Sequence, residues 1–212
     1  TKYVKSCSEC SQAQSYKQRS AGVPHSHWVT QERFEKITVD LLSALPVSKR
    51  GNDSVLVFLD QFSNRVFLYP CKKSINSKQA AKAYFETVYR AQGICKTIVS
   101  DNGSLFSSQF WEELFRLMSV DVKHSSVYYP QAQGRVEKFN SVIVEALRIF
   151  CLKHDAKLWD NHLIHLETIW NSTVRNSTNL TPFQIIYGRD VRTVVDLSPD
   201  GQEEDVEEVR NE

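Results

Sequence analysis

The chain has 212 residues, of which 41% are hydrophobic and 24% charged, proportions that are ordinary for a globular domain. No apolar run approaches the roughly 20 residues that a membrane-spanning helix needs. The net charge of +1 is unevenly spread: residues 200–212 hold seven acidic residues and one basic residue, which leaves 25 basic and 18 acidic residues, or +7, elsewhere. A mildly basic body favours an anionic partner such as nucleic acid, although many ordinary domains carry as much charge.

Composition divides the chain into three predicted parts. Residues 1–29 are polar and are interpreted as the end of a preceding module plus a linker, residues 30–197 as the main domain, and residues 198–212 as an acidic flexible tail. The chain has five cysteines, of which Cys71, Cys95 and Cys151 lie among apolar residues and are predicted to be buried thiols. A disulfide framework is therefore not expected, and a reducing compartment fits better.

Hydrophobic spacing predicts five strands and five helices in the main domain. In chain order these are strands at 34–42, 54–60 and 65–71, a helix at 77–92, a strand at 95–100, a helix at 107–118, a strand at 120–124, a loop at 125–134, helices at 135–153 and about 158–176, and a short helix from Pro182 to Gly188. Ser77 and Thr181 are the predicted N-caps of their helices, and Gly93 and Gly188 the predicted stops. The core-facing side of the helix at 107–118 is predicted to be Phe110, Trp111, Leu114, Phe115 and Met118. Three consecutive strands followed by alternating helices and strands predict an α/β domain with a mixed five-stranded sheet and helices on both faces, the ribonuclease H-like fold.

Three acidic residues lie at the ends of these elements. Asp40 is near the end of the first strand, Asp101 follows the fourth, and Glu137 lies in the first turns of the long helix, with 35 residues between the last two. Taken singly, each has an ordinary structural explanation: an Asp before Asn-Gly forms turns, and a Glu early in a helix stabilises the helix dipole. Together they predict a metal site, because transfer of a phosphoryl group in DNA uses two divalent cations held by carboxylate oxygens.

The segments around these residues resemble a known family. They are Thr38-Val-Asp40-Leu, Val99-Ser-Asp101-Asn-Gly with Phe106, and Tyr129-Pro-Gln-Ala-Gln-Gly-Arg-Val-Glu137-Lys-Phe-Asn140. They resemble the catalytic core of retroviral-type integrases, particularly those of Gypsy-type LTR retrotransposons, over about residues 34–197. Two flanking segments are also similar: Cys7-Ser-Glu-Cys10 to the cysteine half of the zinc-binding module before such cores, and residues 181–189 to the segment that closes Gypsy-type cores.

The resemblance implies an enzyme, a polynucleotidyl transferase that processes the 3′ ends of element DNA and then inserts them into target DNA. Asp40, Asp101 and Glu137 would be its catalytic residues and the ligands of two Mg²⁺ or Mn²⁺ ions. DNA and further copies of the chain, as a dimer or tetramer, are the implied partners, with a host tethering protein as another. The expected location is the nucleus, and cytoplasmic virus-like particles if the element is active. Zinc is expected only in the upstream module, because the family's two histidines would precede residue 1, and His25 and His27 do not replace them.

Contacts with DNA are predicted for residues beside the three carboxylates. Loop aromatic rings can stack on unpaired bases, and polar and basic groups on the long helix can reach phosphates. The predicted DNA-binding residues are Asn102, Tyr128, Tyr129, Gln133, Arg135, Lys138, Asn140 and Arg148. An apolar stripe of Val136, Phe139, Ile143, Leu147 and Phe150 is expected to face the core and to leave Asn140 and Arg148 on more exposed faces.

Departures from the family leave two alternatives open. Retroviral cores often have lysines one and two turns beyond the catalytic Glu, but this chain has Ser141 and Val144 there. The first alternative is therefore a host-domesticated module that binds DNA or protein without catalysis. A nuclease such as ribonuclease H is the second, but the fourth carboxylate of such enzymes has only a weak candidate, at His154-Asp155. Asp60, which ends the second strand, is interpreted as a turn cap.

Overall fold

The structure is a computed structural model of the chain, and it describes residues 30, 32–101, 103–124 and 130–192. Within residues 130–137, and at residues 124 and 153, it describes the backbone alone. The predicted linker at residues 1–29, including Cys7 and Cys10, and the predicted acidic tail lie outside the described residues. The boundaries proposed for these parts therefore remain predictions.

A mixed five-stranded sheet forms the centre of the fold, as predicted. Its strands are β1 (Lys36–Leu42), β2 (Ser54–Asp60), β3 (Val66–Cys71), β4 (Thr97–Ser100) and β5 (Asp121–His124). The strand order is β3-β2-β1-β4-β5, with antiparallel pairing between β1, β2 and β3 and parallel pairing of β4 with β1 and β5. Strands β1, β3, β4 and β5 therefore run in one direction and end at the same edge of the sheet.

Both faces of the sheet are covered, and β2 shows this most directly. Its seven residues are all buried, because alternate side chains enter two separate cores. Leu56 and Phe58 pack on one face, while Val55, Val57 and Leu59 pack on the other. A continuous apolar run was the sequence signal for this strand, and its predicted bounds are confirmed.

Helices flank the sheet on the two faces. They are α1 (Ser77–Tyr84, a π-helical stretch Phe85–Tyr89, and Arg90–Gln92), α2 (Gln109–Leu117), α3 (Pro130–Lys153), a 3₁₀ helix (Ala156–Asn161), α4 (Leu163–Ser172) and α5 (Pro182–Tyr187). Helices α1 and α2 cover the face that contains Phe58, whereas α3, the 3₁₀ helix and α4 cover the face that contains Val57.

Caps define several helix ends. The predicted cap and stop of α5 are confirmed: Thr181 accepts a hydrogen bond from Gln184 N, and Gly188 ends the helix in the left-handed conformation at φ 67°. Helix α1 ends at Gly93 as predicted, but its N-cap is Asn76 and not Ser77. The Asn76 side chain accepts from Gln79 N, and the Gln79 side chain accepts from Asn76 N, which forms a capping box one residue earlier than expected.

Two predicted helix boundaries on the second face are wrong. Helix α3 begins at Pro130, because proline is well suited to the first helical turn. The predicted loop therefore does not extend to Gly134. The predicted helix at about 158–176 is two elements, the 3₁₀ helix and α4. Asp155 caps Lys157 N at 2.9 Å and begins the tight turn, and the Trp159 indole donates to Pro46 O at 2.6 Å, which fixes the 3₁₀ helix against the β1–β2 connection.

The predicted burial of two other side chains is also wrong. Phe110 is 39% exposed, because the buried face of α2 is defined by Trp111 and Phe115, and an adjacent residue points about 100° away. The ammonium group of Lys78 lies 5.7 Å from the centre of the Phe110 ring. Cys151 is only half-buried, whereas Cys71 and Cys95 are buried as predicted.

Edge strand β3 is protected by side chains of α4. Asn171 accepts a hydrogen bond from Val66 N and donates one to Val66 O, both at 3.0 Å, and so takes the place of a neighbouring strand. Glu167 accepts from Leu68 N at 2.9 Å. These contacts satisfy backbone groups that would otherwise offer a pairing site for another strand. None of the described helices is both long and apolar enough to span a bilayer.

Candidate active site

Asp40 and Asp101 lie side by side at one edge of the sheet. Strands β1 and β4 are parallel neighbours, and their register pairs Thr38 with Val99. Asp40 and Asp101 each follow two residues later, so the register continues to bring the two carboxylates together. The parallel arrangement also sends both strands out at the same edge, where open α/β sheets bind ligands.

The Asp40 side chain lies on the face that α3 covers. Ile37 and Val39 belong to the core under α1 and α2, and alternation along the strand sends Asp40 to the opposite face. There Asn140 of α3 donates from Nδ2 to Asp40 Oδ2 at 2.6 Å. This contact joins residues 100 positions apart in the chain and ties the long helix to the first candidate ligand.

Asn140 was predicted to lie on a more exposed face and to reach a phosphate. In the structure it is half-buried, and its amide nitrogen binds Asp40. A carboxylate accepts hydrogen bonds only, so the NH₂ group must point to Asp40, and a flipped amide would set two oxygens against each other. Asn140 is still more exposed than the buried Phe139 beside it, as predicted, and its predicted DNA contact stays a prediction.

Burial and charge act together on Asp40. Burial raises the pKa of the Asp40 carboxyl above its ordinary value, and the nearby charge of Asp101 raises it further. Hydrogen bonds from Asn140 and from Leu41 N, the latter at 2.9 Å, act in the opposite direction. The ionised form of Asp40 is thus costly by itself, which is typical of a carboxylate that binds a cation.

The Asp101 carboxylate lies close to the backbone of Gly103. Gly103 N donates a hydrogen bond to Asp101 Oδ1 at 3.1 Å, so Asp101 has a local structural role. A Cβ atom at position 103 would lie 2.9 Å from the same oxygen, so a larger residue there would make the Asp101 carboxylate shift. The hydrogen bond restrains this carboxylate, which is exposed.

The other predicted site residues divide into described and undescribed groups. Lys138 and Arg148 are exposed on α3, as a DNA contact requires. Glu137, Gln133 and Arg135 lie in α3, but only their backbone is described. Asn102, Tyr128 and Tyr129 lie outside the described residues. On the same helix Phe139, Ile143 and Leu147 are buried, which confirms the predicted apolar stripe at these three positions.

Asp60 is a structural residue, as predicted. Its fully buried carboxylate accepts hydrogen bonds from Phe34 N, Ser63 N and Ser63 Oγ at 3.1, 3.0 and 2.6 Å. Burial raises its pKa, and these hydrogen bonds oppose the rise. Asp60 ends β2, which is antiparallel to β1, so it lies at the opposite edge of the sheet from Asp40 and Asp101.

The described donors fit a divalent cation. Asp40 and Asp101 supply adjacent carboxylate oxygens, the ligands that Mg²⁺ and Mn²⁺ prefer. Among described side chains, no group of three His, Cys, Asp or Glu residues forms a metal site, so a third ligand must come from elsewhere. The backbone of Glu137 lies one helical turn before Asn140, which itself reaches Asp40.

Comparisons with known proteins agree with this geometry. Residues 31–130 match the family model of the integrase core domain. The chain is 30% identical over 185 residues, or 87% of its length, to the Transposon Tf2-3 and Tf2-4 polyproteins of Schizosaccharomyces pombe. It spans only 14% of the length of those polyproteins.

Solved structures show the same fold. The HTLV-2 integrase catalytic core domain in complex with magnesium, in a trimeric form, aligns with a TM-score of 0.59 at 22% identity, over 72% of this chain and 95% of that chain. A chain of the simian T-cell lymphotropic virus intasome aligns with a TM-score of 0.67 at 19% identity, over 91% of this chain and 67% of that chain. The chain therefore has the ribonuclease H-like fold of integrase catalytic cores, and its sequence matches the integrase core domain over residues 31–130.

Proposed function

We propose that this chain is the catalytic core of an integrase that cuts and joins DNA by phosphoryl transfer, with Asp40, Asp101 and Glu137 as metal ligands. One observation carries the proposal: two neighbouring parallel strands bring Asp40 and Asp101 to one edge of the sheet, and Asn140 of the helix that bears Glu137 binds Asp40. The family match and the retrotransposon relatives support the same reaction class.

The chemistry consists of two displacements at phosphorus. In end processing, a water oxygen forms a bond to phosphorus and the bond to the 3′ oxygen breaks, which leaves a 3′ hydroxyl. In strand transfer, that hydroxyl oxygen attacks a phosphodiester of target DNA and displaces another 3′ oxygen. Two bound Mg²⁺ or Mn²⁺ ions would activate the attacking oxygen and stabilise the leaving one.

The protein's own contribution is to hold ligands in place. β1 holds Asp40 within the sheet, and Asp101 directly follows β4, where the Gly103 amide holds one of its carboxylate oxygens. Asn140 orients Asp40 and links it to α3. Rigid elements place ligands more accurately than loops do, and small displacements at such a site are costly in rate.

The proposed partners are the DNA of the element, target DNA and further copies of this chain. HTLV-2 integrase cores have been solved as a trimer and as a dimer, which supports a multimer here. A host tethering protein and a nuclear location belong to the same proposal. Zinc binding is proposed only for the module to which Cys7 and Cys10 would belong.

The test is DNA joining by this chain in Mn²⁺ and in Mg²⁺. Strand transfer with short pre-processed duplexes should be accompanied by the reverse reaction on a branched duplex, because flanking domains can be required for full joining. Asp101→Asn removes a charge from the proposed site, and Asp121→Asn is a matched control. Asp121 is exposed at the start of β5, at the opposite edge of the sheet.

Loss of activity in Asp101→Asn with retention in Asp121→Asn is the expected result. Absence of both activity and metal binding in the unchanged chain would contradict the proposal and favour the binding module without catalysis. Faster cleavage of RNA–DNA hybrids than joining of DNA would favour a ribonuclease instead.

A further inference from the structure

A second surface lies at the same edge of the sheet as Asp40 and Asp101. Strand β3 runs parallel to β1, so the end of β3 and the connection between β1 and β2 emerge at that edge. Five exposed basic side chains occur there and on the adjacent 3₁₀ helix. This group, called the hairpin patch, comprises Lys49, Arg50, Lys72, Lys73 and Lys157.

The turn that carries Lys49 and Arg50 is held from below by a buried carboxylate. Asp160 Oδ2 accepts hydrogen bonds from Ser48 Oγ at 2.7 Å and from Asn52 Nδ2 at 2.8 Å, on the two sides of the turn. Asp160 is only 5% exposed. The turn itself is closed by a hydrogen bond from Ser48 N to Asn52 O at 2.7 Å. Lys49 and Arg50 therefore project from a backbone whose position is fixed.

Further contacts gather the other members of the patch. Lys49 N donates to Lys157 O at 2.8 Å, which joins the turn to the 3₁₀ helix. Lys73 N donates to Asp53 Oδ1 at 2.5 Å, which joins the end of β3 to the same connection. The Lys72 side chain passes Gly51, where a Cβ atom would lie 3.6 Å from Lys72 Cε.

Basic side chains of these segments face solvent, whereas most of their carboxylates are bound by the protein. Residues 43–53, 72–73 and 155–161 hold five basic residues against Asp53, Asp155 and Asp160, a balance of +2. Asp160 is buried under the turn, and Asp53 binds a backbone amide and the Ser54 hydroxyl. Asp155 pairs with Lys49 at 3.1 Å, but both side chains are about half exposed, where such a pair contributes little. The surface therefore presents cations outward and turns two of its three carboxylates toward the protein.

The hairpin patch lies within reach of a duplex bound at the candidate active site. Asp40 pairs with Val57, which pairs with Leu68 three residues before the end of β3. Three residues along a strand and two strands across give a separation of about 14 Å at the level of the backbone. Each strand of duplex DNA carries one phosphate per roughly 3.4 Å of helix axis, so a phosphate about four base pairs from the reacting one can lie at this distance.

We propose that the hairpin patch binds the phosphate backbone of the DNA on which the active site acts. This inference rests on the proposed function, which makes DNA the ligand. The five cations are spread over three segments, which fits a row of phosphates better than a single anion. The bound phosphates can belong either to the element end or to target DNA, and the experiment distinguishes these two duplexes.

The experiment measures binding of the 212-residue chain to labelled DNA by fluorescence anisotropy across a range of salt concentrations. One probe is a short open-ended duplex, and the other is a dumbbell duplex closed by a hairpin at each end. The test variant is Lys72→Gln with Lys73→Gln, and Arg50→Gln is a second, independent variant. The control is Arg90→Gln with Lys96→Gln, which removes the same charge from exposed residues near the opposite edge of the sheet.

The double patch variant should bind more weakly, and the slope of log affinity against log salt should fall by about 2, since each lost phosphate contact removes about 0.9. A change confined to the open-ended duplex assigns the patch to the element end, and a change with both probes assigns it to target DNA. An unchanged slope, an equal effect of the control, or no salt-dependent binding by the unchanged chain would overturn the proposal. If patch variants lose binding while the unchanged chain binds DNA but shows neither joining activity nor metal binding, the proposed function fails and the patch stands.

Discussion

Replacing Asn140 by alanine tests how the long helix supports the active site. The change removes the 2.6 Å hydrogen bond from Asn140 Nδ2 to Asp40 Oδ2 and leaves this half-buried carboxylate with the Leu41 amide as its described backbone donor. A hydrogen bond to a charged group contributes about 1.5–3 kcal/mol. If that free energy orients Asp40 for metal binding, the rate of DNA joining should fall about 10- to 150-fold.

The assay is the single-turnover rate on the branched duplex, measured against Mn²⁺ concentration. A residue that positions a metal ligand should also raise the Mn²⁺ concentration needed for half-maximal rate, which a loss of overall stability alone would not do. Leu152→Ala, at an exposed position of the same helix, is the control. An unchanged rate and unchanged Mn²⁺ dependence in Asn140→Ala would show that the Asn140 hydrogen bond does not position Asp40 for metal binding.

Three further predictions concern the fold around the site. Asn171→Ala should lower the free energy of unfolding by about 2–4 kcal/mol in denaturant titrations, because Val66 N and Val66 O lose their partners, whereas exposed Asn176→Ala should change it by less than about 0.5 kcal/mol. Burial raises the pKa of Glu167, so its contribution to the stability of the wild-type chain falls as pH rises from the ordinary pKa of 4.5 through the folded-state pKa. Glu167→Gln lacks this titration and should therefore gain stability relative to wild type over the same pH range. A stability difference that stays constant across pH would contradict this. A thiol reagent should modify Cys151 before Cys71 and Cys95, because Cys151 is half-buried whereas Cys71 and Cys95 are buried and burial raises the pKa of Cys71 to about 12. Peptide mapping gives the order of modification, and earlier modification of Cys71 would show that the sheet opens.

Elements with a strong local signal could be predicted from the sequence. Strand β2 contains a run of five apolar residues between Ser54 and Asp60, and its limits were predicted correctly. The order of strands and helices predicted a mixed sheet, but the pairing of β4 with β1, which brings Asp101 beside Asp40, is seen in the structure. Asp60 was recognisable as a cap because Ser63 and the turn follow it directly.

Contacts between distant residues could not be predicted in this way. Helical periodicity distinguishes buried from exposed faces, but Asn140 lies between them, and its partner is 100 residues away. The 3₁₀ helix is held by a hydrogen bond from Trp159 to Pro46 O, 113 residues earlier. The hairpin patch depends on Asp160 reaching under a turn 112 residues before it. Such contacts arise from packing of whole elements, which local patterns do not encode.

We expect Asp40, Asp101 and Glu137 to form one metal site, and anomalous diffraction from crystals of this chain soaked in Mn²⁺ is the measurement that tests this. The expected result is a manganese peak coordinated by carboxylate oxygens of Asp40 and Asp101, with Glu137 facing it across the site. Manganese absent from this position, or a Glu137 carboxylate directed away from Asp40 and Asp101, would mean that the three residues do not form a metal site.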